Sequence, residues 1–284
     1  MRHKEVECVA WSPAGRLLAS ASAAGTVRLW RVADGRLLRT IRGHTDWVWR
    51  VAFSPDGETL ATASSDETVR LWRVSDGRLL RTLEGHTSAV LGVAWSPDGA
   101  TIATASSDNS VRVWRVADGR LLRILEGHTS VVRCVAFSPD GDTLATASWD
   151  KTARVWGTDG RLLRILEGHT SAVLGVAWSS WGAAIATASD DIRLWRAADG
   201  QPLRTIDNHS EAVGSLAWSP AGRLLASASG SNVVLWRVPD GPPLRTIRGH
   251  SDRVVCVAWS PDGETLATAS YDNSVRLWRA ADLL

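Results

Sequence analysis

The sequence predicts an all-β protein made of seven copies of one four-stranded antiparallel unit. Three observations predict it. A tryptophan in a Val-Trp or Leu-Trp context recurs at 30, 72, 114, 156, 195, 236 and 278. A second aromatic recurs as Ala-[Trp/Phe]-Ser at Trp11, Phe53, Trp95, Phe137, Trp178, Trp218 and Trp259. A histidine recurs at His44, His86, His128, His169, His209 and His250. Such periods, of about 40–45 residues, mark arrays of small stacked sheets. The repetition also explains the composition, which holds 16 Trp against one Tyr and two Phe.

Within one unit each element has a local reason. Val48 to Phe53 is a short apolar run and reads as the first strand. Ser54-Pro55-Asp56-Gly57 is a turn signal. Thr59 to Ser64 is small and β-compatible, and Ser65-Asp66-Glu67 turns again. Thr68 to Val74 alternates with period two. Ser75-Asp76-Gly77 is the third turn, and Arg78 to Leu83 is the fourth strand. No helix-length periodicity interrupts the pattern. A small sheet of this kind cannot bury both faces alone. Packing each sheet on the next in a closed ring solves the problem. The seven units are expected at 1–41, 42–83, 84–125, 126–166, 167–206, 207–247 and 248–284, forming one domain over 1–284.

With the Gly-His and late-Trp positions in place, the chain resembles the WD-repeat family of seven-bladed β-propellers, in its highly repetitive prokaryotic form. The usual Trp-Asp ending is Trp-Arg here, as at Trp72-Arg73, and once Trp156-Gly157. The resemblance implies a hydrogen-bonded tetrad in each blade. One copy would be His44, Thr62 or Ser64, Asp66 and Trp72. Matching sets are His86, Asp108 and Trp114; His128, Asp150 and Trp156; and His250, Asp272 and Trp278. A buried imidazole needs a partner for each nitrogen, and a buried indole needs an acceptor. The fifth blade keeps His169 and Trp195 but is shortened around Asp190-Asp191. The sixth has Gly230 and the first has Ala24 where the Asp is expected. These three blades are expected to be the looser ones.

Composition bounds the function. The chain has 284 residues, 44% of them hydrophobic and 22% charged, which is ordinary for a globular protein. Net charge is +2, and Lys4 and Lys151 are the only lysines among 32 basic residues. That balance predicts no polyanion partner by itself. No run of about 18 apolar residues exists, so no membrane span is expected. The start, Met1 to Glu5, is charged and leads into no apolar signal segment. Cys8, Cys134 and Cys256 are too few and too odd in number for a disulfide scaffold, so a cytoplasmic, reducing setting is expected. They fall at one repeat position and read as small residues on the innermost strand, Cys8 and Cys256 on neighbouring blades. No phosphate-binding glycine loop and no metal-ligand spacing occurs, so no cofactor and no metal are expected. A His/Asp/Ser trio that recurs blade after blade is structural, and no catalytic residue is expected.

A binding surface on a repeat scaffold lies where the repeats differ. Setting the recurring aromatics aside leaves Trp47, Trp49, Trp149, Trp181 and Tyr271. Four of these fall in the segment after the His or just before the turn Asp. By the resemblance, those positions line the top entrance of the central channel, where partners of the family commonly bind. The expected partner-binding set is Trp47, Trp49, Trp149, Tyr271, Arg133, Arg253, Val131, Leu91, Leu174, Glu5 and Glu7. Arg133 is expected beside Trp149 and Arg253 beside Tyr271, with Glu5 and Glu7 forming an acidic sector next to Arg253. Exposed Trp, Tyr and Arg around an apolar ring have the composition of a protein-binding hot spot. Trp181 replaces the Asp of Ser-Pro-Asp-Gly on the opposite face, as a lone contact there or as drift.

Arginine pairs also recur on the outer strand, at Arg36/Arg39, Arg78/Arg81, Arg120/Arg123 and Arg161/Arg164. They read chiefly as protection of an exposed edge. The outer strand itself appears six times for seven copies of the others. The last blade is therefore expected to lack it, leaving an open edge near Val275–Arg279 that a second copy of the chain or flanking sequence could complete. The leading reading is a non-enzymatic scaffold or sensor module that holds a protein or peptide. Near-identical bacterial WD repeats resemble parts of larger signalling proteins, such as kinases and NTPases. Two alternatives stay open: a stability-selected or engineered scaffold without a native ligand, and nucleic-acid binding along the arginine rim.

Overall fold

Alternating small and apolar side chains put each repeat into a four-stranded antiparallel sheet. The computed structural model describes residues 5–207, 209, 211–238 and 241–283. The charged start up to Lys4 and the final residue, Leu284, lie outside the described residues. Strands a to d run from the channel outward. In blade 1 they are Val6–Trp11, Leu17–Ser22, Thr26–Arg31 and Leu37–Arg42. In blade 2 they are Val48–Phe53, Thr59–Ser64, Val69–Arg73 and Leu79–Leu83. Six sheets have this order, and the seventh has three described strands, Val254–Trp259, Thr265–Ser270 and Val275–Arg279. A 3-10 turn at Ala280–Asp282 follows it. No helix is long and apolar enough to cross a membrane.

Strand b explains the recurring Thr-Leu-Ala-Thr-Ala-Ser. Both its faces are covered by neighbouring sheets, and Leu60, Ala61, Thr62, Ala63 and Ser64 are all fully buried. Small side chains let adjacent blades approach at interior packing density. Neighbouring innermost strands pack against one another around the whole ring, the first against the last included. At that seam Trp11 Nε1–H donates to Ala258 O at 3.0 Å. The same bond links Trp95 to Ala52 O at 3.1 Å, so the seam uses an ordinary blade contact. Closure therefore rests on packing between blades 1 and 7, as the missing outer strand requires.

The tetrad staples the chain where it crosses from one blade to the next. Trp72 Nε1–H donates to Thr62 Oγ1 at 2.9 Å. Thr62 Oγ1 lies 2.7 Å from His44 Nε2, and His44 Nδ1 lies 2.7 Å from Asp66 Oδ2. With the imidazole neutral, one proton direction satisfies every group: indole to hydroxyl, hydroxyl to Nε2, Nδ1–H to carboxylate. Thr62 is thus the strand-b member. Ser64 instead receives the Asp66 amide at 3.2 Å and shapes the turn. Burial opposes ionisation of Asp66, but bonds from His44, Thr68 and Thr45 outweigh it and hold the carboxyl well below its ordinary range. Asp150 is likewise held at about 2, by Thr152 and His128 against the burial penalty.

Blade 5 departs from the looseness expected of it. His169 reaches Asp191 and Thr187, and Trp195 donates to Thr187 at 2.8 Å, so the shortened turn still closes the set. Blade 6 is incomplete. His209 meets Ser227 at 3.0 Å, but its Nδ1 has no partner among the described residues. Blade 1 keeps only the Trp30 bond to Ser20, at 2.9 Å.

Thr104→Val preserves shape but orphans the Trp114 indole and the His86 Nε2. It is expected to lower unfolding free energy by about 2–3 kcal/mol in urea denaturation. Ser20→Ala in blade 1 removes one bond and should cost about 1 kcal/mol.

Candidate functional site: the mouth of the central channel

A backbone irregularity builds the site. Val48 pairs with Ser64 and Arg50 with Ala63, which leaves Trp49 as the extra residue of a β-bulge. The same shift falls at Glu7, Leu91, Arg133, Gly214 and Val255. In blade 5 pairing begins only at Gly175, one residue after Leu174. A bulge breaks the strict alternation of faces. Two consecutive residues per blade can then serve the channel, at two levels.

The upper level is a cavity of about 250 Å³ lined by Trp49, Arg133, Trp149, Leu174, Gly214, Arg253, Val255 and Tyr271. Six of the eleven expected residues are therefore brought together. Trp149 is 48% exposed and Arg253 is also exposed, so both are free to meet a partner. The remaining five differ. Leu91 is buried. Trp47 stands outside the lining with its ring centroid 5.3 Å from that of Trp49. Val131 serves through its carbonyl, which accepts the Trp149 amide at 2.9 Å. Glu5 is half-buried beside the rim, its carbonyl accepting the Ala23 amide at 3.0 Å. Glu7 forms no acidic surface sector. It is buried, and Tyr271 donates to its Oε2 at 3.3 Å.

Arg133 and Trp149, and Arg253 and Tyr271, line the same cavity. Arg133 also lies over Trp49, 5.4 Å from the ring centroid. Trp49 is held for it, because its Nε1–H donates to Ser65 Oγ at 2.7 Å. Such a guanidinium–indole contact is worth about 0.5–2 kcal/mol. Arg253 and Tyr271 are joined through the backbone, Tyr271 N–H to Arg253 O at 3.0 Å.

The lower level was not anticipated as a unit. A second cavity of about 210 Å³ is lined by Cys8, Arg50, Cys134 and Cys256, among others. Arg50 stands at the cysteine position of its own repeat, which is the sequence signal that could have revealed the cluster. Its guanidinium lies 3.8 Å from Cys8 Sγ, 3.7 Å from Cys256 Sγ and 3.5 Å from Cys134 Sγ. The three thiols are free, with Cys8 and Cys256 3.6 Å apart. The hydrogen bond with Cys256 and the nearby Arg50 charge, set against burial, push the Cys8 thiol down. Among the described residues, no His, Cys, Asp and Glu group could hold a metal ion.

Two expectations concern residues away from the channel. The second arginine of each outer-strand pair is occupied. Arg39 donates to Ser75 O at 3.0 Å, and Arg81 to Asp118 O at 2.7 Å, each on the next blade. The second arginines thus form a row of interblade stitches, while Arg36, Arg78, Arg120 and Arg161 stay exposed. Trp181, on the opposite face, is 52% exposed and also packs on its neighbours there. Elsewhere a proline packs on the turn glycine of the next blade: a Cβ on Gly141 would lie 3.3 Å from Pro97 Cδ. Ser180 stands at that proline position, and Trp181 covers Gly222 instead, with its ring 5.9 Å from Trp218.

Burial pushes the Glu7 carboxyl up to about 7, only partly offset by Arg133 and the Tyr271 hydrogen bond. The folded state therefore keeps a proton that the unfolded chain has released between about pH 4.5 and 7. Stability from this group falls as pH rises through that window. Glu7→Gln should remove the slope. The wild-type-minus-variant difference in unfolding free energy should change by roughly 2 kcal/mol between pH 5 and 8, measured by denaturant titration.

Comparison with known proteins agrees with this architecture. The WD40 family profile (WD domain, G-beta repeat) matches residues 2–31, 35–73, 77–115, 119–157, 160–195, 200–237 and 241–279. A probable serine/threonine-protein kinase, PkwA of Thermomonospora curvata, is 49% identical over 45 residues, which is 16% of this chain and 6% of the kinase. The nuclear distribution protein PAC1 of Fusarium vanettenii is 62% identical over 34 residues, which is 12% of this chain and 8% of that protein. The matches thus cover under a tenth of either relative. Seven profile matches and seven sheets make this chain a member of the WD40 repeat family.

Proposed function

We propose that the chain is a non-enzymatic interaction module that holds a protein or peptide segment at the mouth of its channel. One observation carries this reading. The cavity of about 250 Å³ sets a half-exposed Trp149 beside Tyr271, Arg253 and an Arg133 braced on Trp49. Propellers of this family generally mediate protein interactions. Indole and phenol rings supply large contact area at low entropic cost, and guanidinium groups supply donors for backbone carbonyls or carboxylates. The Glu7–Tyr271 pair beneath them gives the floor a polar contact that needs no surface charge. The segment expected to bind is extended, with one apolar side chain for the cavity and acceptor groups for the arginines.

A cytoplasmic signalling setting fits this reading, supported by the short matches to a kinase and to a nuclear distribution protein.

Peptides selected from a displayed random library on the wild-type chain should bind Trp149→Ala about 30-fold more weakly. Arg253→Glu should reverse any preference for acidic residues. Equal binding of the selected peptides to wild type and Trp149→Ala overturns the proposal.

A further inference from the structure

The seam between blades 7 and 1 holds a cleft of about 270 Å³, lined by Val6, Leu18, Trp30, Val275 and Leu277 among others. Those five positions have an exact counterpart at every other blade boundary. Between blades 2 and 3 they are Val90, Ile102, Trp114, Val69 and Leu71, and they close around Leu83 of strand d. Between blades 3 and 4 the matching set closes around Leu125. The plug residues Ile41, Leu83, Leu125, Leu166, Ile206 and Ile247 are each no more than 5% exposed. At the seam no described residue fills that place. Leu277 is 45% exposed where Leu71 is 2% exposed.

Two further features of a strand d have their receptors waiting. Elsewhere an arginine of that strand lies on the turn glycine of the next blade: a Cβ on Gly77 would meet Arg39 Cδ at 2.6 Å, and one on Gly119 would meet Arg81 Cδ at 2.6 Å. At Gly35, the matching turn of blade 1, nothing described lies within 4 Å. Elsewhere the Gly-His after strand d packs over an arginine and reaches the strand-b hydroxyl, as Gly85 does over Arg112 and His86 does to Thr104 at 2.7 Å. Arg28 and Ser20, the matching pair of blade 1, line the same cleft. Apolar walls, an arginine seat and a hydroxyl donor for a histidine thus stand in the order that one extended segment would use.

We propose that this cleft is a second binding site, which takes an extended segment of a partner polypeptide reading Leu-x-Arg-x-[Leu/Ile]-x-Gly-His. The segment adds to the sheet antiparallel to Val275–Arg279, with main-chain hydrogen bonds giving affinity and the side-chain seats giving specificity. The register follows blade 2, where Leu79 faces Trp72, Arg81 faces Leu71 and Leu83 faces Val69. In the cleft those partners are Trp278, Leu277 and Val275. The histidine matters less than the apolar plug, because Ala24 stands where an aspartate would hold its Nδ1. The site is separate from the channel mouth and does not depend on the function proposed there.

The probe is a synthetic peptide with the sequence of residues 77–87, Gly-Arg-Leu-Leu-Arg-Thr-Leu-Glu-Gly-His-Thr. Calorimetry with the full chain should show saturable one-to-one binding, and hydrogen exchange should slow at Val275–Arg279. A peptide carrying Leu83→Asp should bind at least about 30-fold more weakly, while His86→Ala should lose about 3-fold or less. In the protein, Leu277→Asp changes an exposed side chain. It should keep the fold by circular dichroism and abolish binding, whereas Trp149→Ala should bind the peptide as wild type does. Absence of saturable binding, equal binding of the Leu83→Asp peptide, or unchanged exchange at Val275–Arg279 overturns the proposal. So does concentration-dependent self-association that protects Val275–Arg279 without peptide, because a second copy would then be the occupant.

Discussion

One threonine hydroxyl shared by an indole and an imidazole anchors most of this molecule. Thr62 accepts from Trp72 and lies at hydrogen-bond distance from His44, which in turn reaches Asp66. His44 enters strand a of blade 2, while Trp72 belongs to strand c of the same sheet. The bond chain therefore fixes the entry of the innermost strand against the middle of its own blade. The bulge at Trp49 follows soon after that entry, and blades 1 and 6 keep the same bulge with an incomplete set of these bonds. At the channel mouth, Trp149 and Tyr271 each directly precede an aspartate of this network, Asp150 and Asp272.

The network tolerates losses in a graded way. Blade 5 shortens its turn yet recruits Asp191, and Arg193 pairs with that carboxylate at 2.9 Å. Blade 6 loses the aspartate at Gly230 and also carries Val234 where its neighbours have arginine. The two losses are separable, because blade 1 has Ala24 for the aspartate and still keeps Arg28. In blades 2 and 4 that arginine sits 4.0 and 3.9 Å from the aspartate.

Repeat number, strand order and the three-stranded last blade could be read from spacing, while the tetrad was implied by the family resemblance. The channel mouth was legible as a region, since Trp149, Tyr271, Arg133 and Arg253 break the repeat. Its internal pairings were not. Sequence alternation assigns one residue per blade to each face, while the bulge sends Trp49 and Arg50 both to the channel. Arg133 meets Trp49 of a blade two positions away across the axis, a relation that no linear spacing encodes. Trp181 was ambiguous for a similar reason. Its meaning depends on Gly222 in the next blade and on the proline that Ser180 replaces.

Every sheet is drawn from consecutive residues, so no strand waits for a partner made at the other end of the chain. Almost all pairing is local, and the exception is the seam, where Trp11 meets Ala258 across 247 residues. Low average sequence separation favours rapid assembly of individual sheets. They can form one after another as the polypeptide emerges from the ribosome, with the meeting of first and last as a single late event. The same asymmetry governs disassembly. The contact formed last carries the largest loop-closure entropy and has no described outer-strand residue packed into it. Opening of the ring should therefore start at that boundary, leaving the middle sheets to hold together longest.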